Sequence, residues 1–122
     1  MKTLRRSLAI AGLMLAALVV LAPPGGAHTG FESSNPADGS SVDAPVDEIT
    51  LTFTGPAEPA GDGFQALDAS GEVRTPTEAT TADGAVWKLT FDPPLGGGEI
   101  GVRWSVKAPD AHPIDGGFSF SA

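Results

Sequence analysis

The stretch Ile100-Gly101-Val102-Arg103-Trp104-Ser105-Val106 alternates large apolar residues with small or polar ones, without a break, over seven positions. A period of two is the mark of a strand with one buried face, so this segment predicts β structure. The same pattern recurs on either side. In Glu48-Ile49-Thr50-Leu51-Thr52-Phe53 the apolar face is Ile49, Leu51 and Phe53. Across 85–91 it is Trp87, Leu89 and Phe91, with Val86, Lys88 and Thr90 opposite, and Phe118 and Phe120 alternate with Ser119 and Ser121. Phe64 to Asp68, then Ala69-Ser70-Gly71, then Glu72-Val73-Arg74 has the form of a hairpin.

Turn signals separate these runs: Asn35-Pro36-Ala37-Asp38-Gly39, Gly55-Pro56, Ala82-Asp83-Gly84, Asp92-Pro93-Pro94 and Gly96-Gly97-Gly98. Helical spacing of apolar residues is absent from this part of the chain. The expected fold is all-β, a two-sheet sandwich or Greek-key barrel of about seven strands. Phe53, Trp87, Phe91, Trp104, Phe118 and Phe120 are expected to supply the aromatic core.

The first 27 residues read differently. Lys2, Arg5 and Arg6 precede an apolar run from Leu8 to Ala22, 15 residues long. That is short for a membrane span, which needs roughly 20 residues. Pro23-Pro24 and then Gly25-Gly26-Ala27 place small residues where a signal peptide is cut. The expected organisation is a signal peptide at 1–27 and one exported domain at 28–122, periplasmic or extracellular, without a membrane span. Arg5-Arg6 admits the twin-arginine route as well as the general one.

All 15 acids lie beyond Ala27, with only four bases, Arg74, Lys88, Arg103 and Lys107, so the domain carries −11. A nucleic-acid binder would need the opposite sign. With no Cys anywhere, disulfides, thiolate metal sites and Cys nucleophiles are excluded. No Ser-His-Asp arrangement or close carboxylate pair supports hydrolysis.

Only two histidines occur, His28 and His112. Cleavage after Ala27 makes His28 the first residue, with a free α-amine. Amine and imidazole Nδ1 together can chelate a divalent metal; His112 could add a third nitrogen and Asp110 an oxygen. Three nitrogens and a carboxylate in a tetragonal array suit Cu(II), which also heads the divalent affinity order. Sequence spacing does not itself bring residues 28 and 112 together, and histidines and a turn acid at the surface account for the same letters.

The opening of this domain, His28-Thr29-Gly30-Phe31-Glu32-Ser33-Ser34-Asn35-Pro36-Ala37-Asp38-Gly39, resembles the mature start of the CopC family. Glu48 to Phe53 with Pro56 is similar to its second strand. Trp104-Ser105-Val106, then Asp110-Ala111-His112-Pro113-Ile114 and Gly117-Phe118-Ser119-Phe120, resembles its close. The resemblance implies an immunoglobulin-like Greek-key barrel and a periplasmic or extracellular copper-binding protein. It also implies one Cu(II) per chain, held by His28, Asp110 and His112. Such a monomer would sequester or buffer copper, or pass it to a membrane copper transporter. Three features depart from the family. No Met follows residue 14, so the thioether Cu(I) site of some members is not expected. Gly55 stands where some members carry Glu, Glu58 being nearby without an assigned role, and Ala111 stands where many have Gly.

Two other classes compete. Copper monooxygenases acting on polysaccharides use a similar histidine brace, but they present aromatic rings on a flat substrate face. Tyr is absent here and both Trp are expected to be buried. An immunoglobulin-like interaction module without metal would make both histidines incidental. The expectation is a binding protein, not an enzyme.

Overall fold

The computed structural model describes residues 29–122; the expected signal peptide and His28 lie outside the described residues. Eight strands follow in order: β1 Phe31–Asn35, β2 Val46–Phe53, β3 Glu58–Leu67, β4 Val73–Arg74, β5 Glu78–Thr81, β6 Val86–Leu95, β7 Glu99–Lys107 and β8 Pro113–Ser121. They form two antiparallel four-stranded sheets, ordered β1-β2-β6-β5 and β4-β3-β7-β8. The all-β sandwich expectation holds.

The alternation in β7 does what its pattern requires. Ile100, Val102, Trp104 and Val106 are buried, and they meet Ile49, Leu51 and Phe53 of β2 and Leu89 and Phe91 of β6 in one core. Each fully buried Leu, Ile or Phe contributes roughly 1.5–3 kcal/mol of transfer free energy. The expected aromatic set is right for Phe53, Phe91, Trp104 and Phe120; Trp87 and Phe118 are only partly buried. Two further rings join it. Phe64 is 5% exposed, and Phe31 reaches across from the other sheet to stack on Trp104 at 4.4 Å, with Phe118 at 6.0 Å.

Three local readings are corrected. Asp92-Pro93-Pro94 is not a turn but part of β6, which continues to Leu95 opposite Val46. The register jumps between Glu48↔Thr90 and Val46↔Leu95, so the prolines occupy a bulge where no ladder donor is needed. The strand of the expected hairpin begins earlier, at Glu58, because residues 60–63 bulge out between Pro59↔Val106 and Phe64↔Trp104. Gly61 and Gly63, at φ of 56° and 63°, supply the left-handed backbone this bulge uses. The eighth strand, β5, was hidden because all four of its residues are exposed at a sheet edge, leaving no alternation.

The hairpin β3–β4 is closed by Asp68, whose Oδ1 accepts from the Ser70 amide and hydroxyl and from the Glu72 amide. The Ser70 hydroxyl, then the Glu72 amide, hold this carboxyl below its usual 3.8. The connection between β1 and β2 is laced to the end of β8 through Gly39 N to Ser119 O at 2.7 Å and Val42 N to Ser121 O at 2.8 Å, which ties the two sheets together.

Candidate metal centre

Strand register decides what meets at one end of the sandwich. Phe31 pairs with Phe53, so residues 29–30 lie beside the end of β2. Glu58 pairs with Lys107, so the β2–β3 connection and the β7–β8 hairpin leave their sheets at the same end. A groove of about 430 Å³ is lined by both, through Pro56, Ala57 and Glu58 on one side and Lys107, Ala108 and Pro109 on the other.

The β7–β8 hairpin turns in three residues, Pro109-Asp110-Ala111. The Ala111 amide donates to Ala108 O at 2.9 Å, and the Ala108 amide donates to His112 O at 3.0 Å. Ala111 has φ of 68°, the single non-glycine residue with positive φ among the described residues. A tight turn followed by a left-handed residue is the common three-residue hairpin, with Pro favoured at the turn's second place. The geometry therefore demands the conformation at 111 although the side chain there resists it.

This turn brings Asp110 and His112 together. Asp110 Oδ1 accepts from the His112 amide at 3.2 Å, and Asp110 Oδ2 lies 2.9 Å from His112 Nδ1. Both side chains are open to solvent, 46% and 69% exposed. With the Nδ1 proton donated to the carboxylate, Nε2 keeps its lone pair for a metal, the usual way a carboxylate fixes a ligating histidine. Among the described residues no three His, Cys, Asp or Glu side chains converge, so this pair needs further donors to make a metal site. His28, the third expected ligand, lies outside the described residues.

The residues next to it are held firmly. Thr29 Oγ1 donates to Pro56 O at 3.3 Å, the Gly30 amide donates to Thr54 Oγ1 at 2.9 Å, and the Thr54 amide donates to Gly30 O at 2.8 Å. Sequence reading missed these contacts, since Thr29 and Thr54 carry no motif. Glu58 pairs with Lys107 at 3.9 Å. The expectation that both Trp are buried is corrected for Trp87. Its ring lines the groove and is only half-buried, its Nε1 donating to Gly84 O at 3.0 Å and Ala57 O at 3.1 Å. Through these bonds it joins the start of β6 to the β2–β3 connection.

Comparison with known proteins agrees with this architecture. The family model described as CopC domain matches residues 31–122. Copper resistance protein C of Xanthomonas campestris pv. juglandis is 33% identical over 123 residues, covering 95% of each chain. Among solved structures, CopC from Methylosinus trichosporium OB3b is 25% identical with a TM-score of 0.65, covering 76% of this chain and 91% of its own. PcoC, a methionine-rich copper resistance protein from Escherichia coli, is 27% identical with a TM-score of 0.58, covering 77% and 97%.

Proposed function

This chain belongs to the CopC family, and from that premise we propose that it binds one Cu(II) outside the cytoplasm through His28, Asp110 and His112. Export and cleavage after Ala27 would free the α-amine of His28, which with its own imidazole supplies two nitrogens; His112 supplies the third and Asp110 an oxygen. The observation that carries the reading is the placement of Thr29 and the Asp110–His112 turn at one end of the sandwich, fixed by the Phe31↔Phe53 and Glu58↔Lys107 registers. The donor types suit cupric copper. Asp110 Oδ2, 2.9 Å from His112 Nδ1, orients the ring for ligation through Nε2, and as a ligand itself Asp110 would present an oxygen to the same ion.

The role that follows is sequestration, buffering or delivery to a membrane copper transporter. PcoC is methionine-rich by name, whereas this chain has Met only at positions 1 and 14. Without thioethers there is no soft site for Cu(I), so the copper is held and handed on as Cu(II). Nitrogen donors bind metal only when unprotonated, so acid weakens the site.

The test combines mass spectrometry of the exported protein with a Cu(II) competition titration. A chain starting at His28 and binding one equivalent is expected. Adding Met before His28 removes the amine chelate and lowers affinity by orders of magnitude, and His112→Ala lowers it about 100-fold or more, a ligand costing at least what its supporting partners do. Tight binding that survives both changes defeats the assignment. Steady oxidation of oligosaccharides by copper-loaded protein with a reductant would replace binding by catalysis.

A further inference from the structure

We infer that Thr29 and Gly55 form a latch that aims the mature amino terminus at the Asp110–His112 turn, making them positioning residues for copper binding; this rests on the ligand set proposed above. Residues 29 and 30 are tied to the β2–β3 connection at three points: Thr29 Oγ1 to Pro56 O, the Gly30 amide to Thr54 Oγ1, and the Thr54 amide to Gly30 O. Immediately after them, Phe31 is fixed by its stack on Trp104. Gly30 makes two of these ties with its own amide and carbonyl and Thr29 makes one with its hydroxyl, so the chain at 29–30 is held in place.

Gly55 sits under this latch for reasons of space. Its backbone is not among the positive-φ glycines. A methyl carbon built there would stand 2.9 Å from Thr29 Oγ1, inside van der Waals contact. Any side chain at 55 must therefore turn the Thr29 hydroxyl away from Pro56 O. Pro56 in turn lines the same groove as Ala108 and Pro109, which lead directly into Asp110. The latch thus sits across this groove from the chain that leads into the turn carrying the other two proposed ligands. A terminus ordered before the metal arrives loses less freedom on binding, which raises affinity without adding a contact to the metal.

The relationship between the two positions supplies the test. Processed wild type, Thr29→Ala, Thr29→Ser, Gly55→Ala and the Thr29→Ala/Gly55→Ala double variant are compared by Cu(II) competition titration, nitrogen hyperfine coupling in electron paramagnetic resonance, and unloaded melting temperature. Thr29→Ala and Gly55→Ala each weaken Cu(II) binding about 3- to 10-fold, the range of one net hydrogen bond. Both alter the nitrogen couplings and leave the unloaded melting temperature little changed. Thr29→Ser keeps wild-type affinity. The double variant is no worse than the weaker single one, because no hydroxyl remains for the new methyl to displace. Wild-type affinity in Thr29→Ala, or additive losses in the double variant, overturns the latch while leaving the ligand set standing. A wild type that binds no Cu(II), or that binds equally well with Met ahead of His28, overturns the ligand set itself. Should Gly55→Ala fail to fold, the Thr29→Ala and Thr29→Ser pair still decides the matter.

Discussion

Ala111 shows how a single position can be settled by its neighbours against its own preference. Its left-handed backbone, at φ of 68°, brings the methyl group close to its own carbonyl and costs roughly 1 kcal/mol or more in an L-residue. The hairpin imposes it through the Ala111–Ala108 and Ala108–His112 hydrogen bonds, and the result is that the His112 amide and ring both meet the Asp110 carboxylate. Ala111→Gly removes the clash without touching these bonds. It is expected to stabilise the unloaded protein by about 0.5–1 kcal/mol, the balance of relieved strain against the greater freedom of an unfolded glycine. Urea unfolding of the two proteins measures this, and a lower midpoint for Ala111→Gly contradicts it. The spacing Asp-x-His was visible in the letters; the backbone that makes it a working pair was not, because Ala gives no sign of a left-handed site.

At the scale of elements, β7 and β8 carry the most order. Their ladder runs unbroken from Glu99↔Ser121 to Lys107↔Pro113, and it holds the Asp110–His112 hairpin at a fixed place relative to the core. Gly116 lies opposite Trp104 in this ladder, and a methyl carbon built on it would fall 2.5 Å from Trp104 Cζ2. The indole fills the space that a side chain on β8 would take. Gly116→Ala is therefore expected to cost about 1–3 kcal/mol, the range of overpacking in a filled core, with the Phe31–Trp104 stack displaced. Urea unfolding gives the cost, and near-ultraviolet circular dichroism reports the stack. An unchanged midpoint would mean that the ring moves freely. The strands with a buried face were legible because burial imposes a period of two. β5 and the bulged ends of β3 and β6 were not, since exposed edges and bulges leave no such period.

For the molecule as a whole, the proposed copper site joins the amino terminus to the last hairpin, and so spans both sheets. A ligand that binds only the folded chain stabilises it by RT ln(1 + [L]/Kd), about 4 kcal/mol at a thousandfold excess over Kd. A rise in melting temperature with Cu(II), absent in His112→Ala, is the expected result; an equal rise in both proteins would place the metal elsewhere. The amino-acid sequence by itself determined the all-β class, the acidic cysteine-free character and the presence of an Asp-x-His element, because these follow from side-chain chemistry and from periods of a few residues. Only the tertiary structure decided that Thr29 and the hairpin share one end and that Phe31 bridges the sheets. It also decided that Trp87 is only half-buried and that a side chain at position 55 would meet the Thr29 hydroxyl. Those facts depend on which strands pair and in what register, and register is fixed by the sum of contacts across a core, between residues as far apart as 31 and 104, rather than by any local stretch of chain.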